Sequence, residues 1–233
     1  MERSHNVTND IIGHTLSSGD FDVKSLSMNK QSVGKAGSTR GPAEHAVRDQ
    51  IVKAAHEYFA HYGYAKTTVS DLARAVGFSK AYIYRFFESK QAIGEAIVGE
   101  CLDEILAKVR EAVESGRDAN DKLRKFAKTV TSASIGLAFD DRKIYEVAAH
   151  ASSENWAPVQ AYVEQLQVVL EDILKEGRES GQFERKTPID ETCSAIYYAL
   201  LLFMDPVFLQ RSIDLVPDAQ TEVINLILRS LAP

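Results

Sequence analysis

The sequence predicts an all-α protein, an N-terminal three-helix unit of the helix-turn-helix kind joined to a larger C-terminal helical body, with about nine helices in all. Three observations carry this expectation. From Ala46 onward apolar residues recur at spacings of three and four, as on one buried helical face, and no stretch alternates as a half-buried strand would. Gly63, Gly77, Gly116, Gly136, Pro158, Gly177, Gly181, Pro188, Pro206 and Pro217 fall near the ends of these periodic stretches, where such residues stop helices. Between Thr67 and Lys90 the pattern condenses into two short helices around a glycine, followed by aromatics and a lysine.

Taken in order, residues 1–44 mix scattered apolar residues with many Ser, Asn and Gly, a composition that predicts a disordered tail rather than a packed element. The first helix begins near Ala46, turns Val47, Ile51, Ala54, Ala55, Tyr58 and Phe59 to one face, and stops at Gly63. Thr67 or Thr68 caps the second helix, with Asp71 near the positive end of its dipole and Leu72, Ala73 and Val76 inward. Val76-Gly77-Phe78 turns the chain, because glycine tolerates backbone angles that other residues resist. Ser79 caps a third helix from Lys80 to Phe86, with Ile83 and Phe87 inward. A fourth starts near Lys90 and runs past Leu106 through Ile93, Ile97, Leu102 and Ile105. Further helices are predicted at 119–137, 141–152, 156–180, 188–204 and 216–231, the second of these led by the capping pair Asp140-Asp141. The expected division is a tail over 1–44, a helix-turn-helix domain over 45–92 and a larger helical body over 93–233.

A helix-turn-helix of this kind presents the N-terminal part of its third helix to the major groove, which puts Ser79, Lys80 and Ala81 nearest base edges. Tyr82 is suited to contact with thymine methyls or to a hydrogen bond with DNA. Tyr84 and Lys90 are placed for phosphate, which fixes register without reading sequence. Thr68 completes the candidate DNA-binding set. Arg85 divides evenly between DNA, a surface ion pair and neither.

The net charge of -6 argues against nucleic acid until it is divided along the chain. Residues 46–98 carry seven Lys/Arg against five Asp/Glu, whereas residues 99–233 carry fifteen against twenty-three. The acidity belongs to the body, and phosphate contact needs only local positive charge.

The run from Thr68 through Leu72, Gly77, Ser79, Tyr84 and Phe87 to Lys90 resembles the signature of tetracycline-repressor-type (TetR family) transcriptional regulators, and Ala54–Thr68 resembles that family's first helix and its exit. The detailed match spans roughly 47–98. The resemblance implies a homodimer on a partly palindromic double-stranded DNA operator, released when a small effector in the body changes the separation of the two reading heads. It implies backbone contacts from Tyr84 and Lys90 and groove-facing positions from Ser79 to Tyr82. Ala81 stands where the family frequently has glycine, Phe78 where valine or isoleucine is usual, and Phe86 where histidine or tyrosine is frequent, which removes a polar contact there.

The body carries weaker signals. Bulky side chains Phe126, Tyr145, His150, Trp156, Tyr162 and Tyr198 are candidates for an effector pocket, and their character points to a hydrophobic or aromatic effector. Ile196, Ala199, Leu200 and Phe203 on one helix and Ile224, Ile227 and Leu228 on another are candidates for a symmetric four-helix dimer interface. His150 and Glu154 share a helical face but lack further ligands at metal spacing, so neither metal nor cofactor is expected. No GxGxxG, P-loop or nucleophile elbow is present, and the chain is read as a regulator rather than an enzyme. Cys101 and Cys193 match no disulfide framework, no long apolar run suggests a membrane span, and the polar N-terminus has no signal-peptide core, which together favour the cytoplasm. An activator or effector-independent regulator of the same fold, or a helical oligomer whose head no longer binds DNA, stays open at this level.

Overall fold

Two glycine-punctuated turns and a run of long amphipathic helices organise the chain. The computed structural model describes residues 42–233 except Asp141, Ile213 and Leu215. Ten helices and no strand occur among them: α1 (Pro42–Tyr62), α2 (Val69–Val76), α3 (Lys80–Ile83), α4 (Lys90–Glu114), α5 (Ala119–Asp140), α6 (Arg142–Ser153), α7 (Ala157–Glu179), α8 (Ile189–Met204), α9 (Pro206–Ser212) and α10 (Val216–Ser230). Most of the segment read as a tail, and Asp141 of the expected capping pair, lie outside the described residues. Within that segment, Pro42 to Glu44 instead open α1, where proline fits the first turn and Glu44 faces the positive end of the dipole.

Two departures from expectation have physical causes. The helix beyond the expected nine, α9, arises because Pro206 begins a helix as well as ending one. Asp205 precedes it and its Oδ1 accepts from the backbone N–H of Val207 at 2.8 Å and of Phe208 at 3.3 Å, an N-cap with proline at the first helical position. The third helix closes at Ile83 rather than Phe86. The chain then tightens into turns in which Arg85 N donates to Tyr82 O (3.2 Å) and Phe86 N to Ile83 O (2.9 Å). The fourth helix is continuous from the end of the helix-turn-helix into the body, as the pattern predicted.

The turn between α2 and α3 shows its chemistry directly. Gly77 sits at φ 78°, the left-handed region where a side chain is strained, and Phe78 N reaches back to Ala73 O at 2.9 Å to close the end of α2. At the other end of α2, Thr68 and Asp71 cap each other reciprocally.

Two hydrophobic clusters result. The first gathers Ile51, Phe59, Leu72, Ile83, Phe87, Ile93 and Ile97 with Ile144, Val147, Ala151 and Trp156. The second gathers Val109, Leu123, Phe126, Leu170, Ile173, Leu200 and Ile224. The first cluster does not stop at residue 92: it takes in the first turns of α4 and one face of α6. That sharing positions everything described next.

Candidate nucleic-acid interface and body cavity

On the helix-turn-helix, the short α3 presents its polar side outward. Ser79, Lys80, Ala81, Tyr84 and Arg85 are exposed while Ile83 is buried. Ser79 caps the helix by accepting from Tyr82 N at 3.1 Å. Tyr82 is half-buried between Phe78 and Phe86, with ring centroids 5.0 and 5.4 Å away, and the Arg85 guanidinium lies 5.3 Å over its ring. The replacement of a polar residue by Phe86 therefore has a local use, since it closes an aromatic row under Tyr82. Lys80 lies 5.8 Å over the Tyr84 ring, and Tyr84 is 44% exposed, so cation and phenol share one outer face.

Two further members of the expected DNA set also have partners within the chain. The Thr68 hydroxyl accepts from Asp71 N at 3.2 Å and donates to Asp71 Oδ2 at 2.6 Å, and this donation, joined by that of the Thr68 N–H to the same oxygen at 3.0 Å, holds the Asp71 carboxyl below the usual carboxylate range. Lys90 donates from Nζ to Tyr64 O at 3.0 Å and stands 4.2 Å over the Tyr64 ring. Its partial burial lowers the ammonium below its ordinary value. Both side chains thus shape the head: one fixes the start of α2, the other ties α4 to the exit of α1.

The body contains a narrow, partly open cavity of about 60 Å³, walled by α4, α5, α6, α7, α8 and the α8–α9 corner. Tyr145 and Tyr162, expected at a pocket, line it. Tyr197, another bulky aromatic of the body, lines it as well, and so do Ser134, Ser152 and Asp205, which the sequence reading did not single out. Of the remaining candidates, Phe126 is fully buried in the body cluster, and Trp156 is buried in the first cluster beside Gly94. His150 is exposed, its ring centroid 5.5 Å from those of Tyr64 and Trp156, and it borders a shallow groove with Lys143 and Glu146. Tyr198 is 55% exposed on the outside of α8. Periodicity held the missed signal, because Tyr197, Leu201 and Met204 recur at four and three and form the cavity face of α8.

Hydrogen bonds at one end of the cavity tie α6 to the α8–α9 corner. The Tyr145 hydroxyl donates to Pro206 O at 2.7 Å, and the Ser152 hydroxyl donates to Asp205 Oδ2. From α5, the Ser134 hydroxyl donates to Met204 O at 3.2 Å. Burial, reinforced by the neighbouring Tyr197, raises the Tyr162 phenol well above its ordinary value. Burial, with the charge of Asp205, pushes Tyr197 up to about 12. Tyr145 is raised by the same two causes. At neutral pH the three phenols are therefore neutral hydroxyls.

The candidate dimer residues divide by face. Ile196, Leu200, Phe203, Ile224 and Ile227 are buried within the single chain, Leu228 is half-buried and Ala199 is exposed. The apolar residues that face outward are Tyr198, Leu202 and Leu226, the last 61% exposed. Helix α8 is apolar around most of its circumference, so spacing alone does not rank its inner and outer faces.

Among the described residues no three His, Cys, Asp or Glu side chains converge as a metal site, and no helix is long and apolar enough to cross a membrane. Cys101 is half-buried and Cys193 buried, and neither forms a disulfide among the described residues.

Similarity to known proteins covers two stretches of the chain. Residues 51–97 match the family described as bacterial regulatory proteins, tetR family, and residues 119–224 match the tetracyclin repressor-like C-terminal domain. The HTH-type transcriptional repressor KstR2 of Rhodococcus jostii is 27% identical over 145 residues, covering 61% of this chain and 71% of that protein. The fatty acid degradation regulator FadR of Bacillus halodurans superposes with a TM-score of 0.59 at 24% identity, covering 81% of this chain and 96% of that one. FadR of Bacillus subtilis, solved in complex with stearoyl-CoA, superposes at 0.58 with 22% identity, covering 78% and 98%. These last two likenesses concern the fold.

Proposed function

The chain belongs to the TetR family of bacterial DNA-binding transcriptional regulators, and from that premise we propose that it acts as a cytoplasmic homodimeric repressor whose operator affinity is set by a small molecule in the α4–α8 cavity. In this reading residues 45–92 read DNA through Ser79, Lys80, Ala81, Tyr82 and Tyr84, and residues 93–233 bind the effector and pair the two copies. Two heads related by a dimer axis would meet half-sites about one DNA turn, roughly 34 Å, apart.

The observation that carries the proposal is the double allegiance of α6. Tyr145, Ala148 and Ser152 line the cavity, while Ile144, Val147 and Ala151, on the same helix, lie in the cluster that holds the reading head. A molecule that fits better when α6 has shifted biases the head through packed side chains, and only such a difference in fit couples the two sites. That a relative of this fold holds stearoyl-CoA supports a body able to admit a ligand.

The outward Tyr198 on α8 and Leu226 on α10 support pairing through these helices, since a second copy would remove their apolar surface from water. The exposed Tyr84 supports backbone contact, and the exposed Ser79, Lys80 and Ala81 support contact near base edges.

The test is to recover the genomic fragments that the protein selects, then to titrate the best operator against salt and against compounds related to the adjacent genes' products. An effector should change operator affinity by about 5–150-fold. A compound that occupies the cavity without moving operator affinity would leave the effector-independent regulator as the better reading, and absence of any selected sequence at low salt would remove the DNA-reading role.

A further inference from the structure

Resting on the reading of the cavity as the effector site, we propose that its ligand is an uncharged, largely apolar molecule bearing a hydroxyl group, which donates to Asp205 and accepts from Tyr162 or Tyr197.

Most of the wall is aliphatic: Val98, Leu102 and Ile105 from α4, Leu137 from α5, Val163 from α7 and Leu201 from α8. Against that wall stands a single charge, the Asp205 carboxylate. Among the described residues that line the cavity there is no lysine, arginine or histidine. A carboxylate or phosphate drawn inside would therefore meet a like charge in an apolar surrounding with nothing to neutralise it.

Hydrogen accounting narrows the choice further. A carboxylate offers about four lone-pair sites. At Asp205 two are taken on Oδ1 by the N–H groups of Val207 and Phe208, and one on Oδ2 by the Ser152 hydroxyl. One site on Oδ2 remains. The protons of Ser134, Ser152 and Tyr145 are all directed to partners within the chain, to Met204 O, Asp205 and Pro206 O. The hydroxyls still able to donate are those of Tyr162 and Tyr197, which have no hydrogen-bond partner among the described residues and which burial keeps protonated. The cavity thus offers an open acceptor beside open donors. A ligand hydroxyl satisfies both kinds at once, whereas an ammonium satisfies only the acceptor and an ether only the donors.

The placement has a consequence for regulation. The Oδ2 atom that a ligand hydroxyl would reach is the one that tethers α6 through Ser152. Occupancy at that oxygen is therefore felt directly on the helix shared with the head.

Four probes of equal chain length separate the possibilities: 1-octanol, octylamine, octanoate and methyl heptyl ether, titrated calorimetrically into the full-length protein with melting temperature as a second readout. The expected order puts 1-octanol first, with octanoate and the ether each weaker by about tenfold or more. Asp205→Asn retains an acceptor for the α9 cap and should bring the alcohol and the acid to within about threefold of each other, since the like-charge penalty is gone. Tyr162→Phe combined with Tyr197→Phe should remove the preference for the alcohol over the amine.

Octanoate equal to 1-octanol, octylamine tightest of the four, an alcohol-to-acid ratio unchanged in Asp205→Asn, or no binding by any probe would each overturn the proposal. Selective 1-octanol binding that leaves operator affinity unmoved would instead support the cavity's chemistry while refuting its role as the effector site.

Discussion

Gly94 and Trp156 lock α4 to the start of α7. A Cβ built on Gly94 would lie 2.9 Å from Cζ3 and 3.0 Å from Cη2 of the indole, and 3.1 Å from Cε2 of Tyr64. The absence of a side chain at 94 is what seats the indole, and Trp156, the residue immediately before α7, is thereby buried with the reading head rather than with the body.

Gly94→Ala should lower the melting temperature. Overpacking costs about 1–3 kcal/mol, which exceeds the roughly 0.8–1 kcal/mol that alanine gains over glycine in a helix interior. Trp156 is the sole tryptophan, so its fluorescence should shift to longer wavelength as the ring is pushed outward. A variant as stable as the parent, with unchanged emission, would contradict the tight seat.

On the reading face, Lys80→Ala should weaken operator binding at low salt and reduce the slope of log affinity against log salt by about 1. Melting temperature should stay unchanged, because the side chain is exposed. Lys90→Ala should behave differently. It removes the tie to Tyr64 O and so should lower the melting temperature as well as DNA affinity. Anisotropy titrations paired with thermal melts distinguish the two lysines.

These contrasts show where the sequence was legible. The helix-turn-helix could be read because caps and turns are local chemistry: Thr68, Ser79 and Gly77 announce themselves within four residues of the groups they serve. The long helices of the body were equally plain from their period. The cavity was not, because aromatic residues serve core and pocket alike, and Phe126 and Trp156 differ from Tyr145 only in which helices pack against them. Asp205 was hidden for another reason. Beside a proline it signals the end of one helix or the start of the next, and here it marks both.

Pairing of two copies is tested by charge at one outward position. Leu226→Arg should give a monomer of unchanged helical content by sedimentation and circular dichroism. Ile227→Arg, one residue on and only 7% exposed, should unfold the body instead. A Leu226→Arg protein that still sediments as a dimer would rule out this face.

Alkaline stability should reflect the cavity phenols. Tyr162 and Tyr197 have folded-state values above the ordinary value of 10.0, so the folded chain retains protons that the unfolded chain releases. Their contribution is fully present below pH 10 and is lost as pH rises from there through about 12 for Tyr197. Replacing both by phenylalanine should flatten the fall in melting temperature across that window. Phenolate absorbance should lose its two latest-titrating groups.

The shared helix α6 also sets where this regulator can be cut and rejoined. A chimera made at the end of the helix-turn-helix would sever the reading head from Ile144, Val147, Ala151 and Trp156, which complete its core. Grafting this head onto a foreign sensor therefore means carrying the opening turns of α4, one face of α6 and the Trp156 corner along with it. The transplantable module is discontinuous in sequence, and any recipient scaffold must supply both breaks.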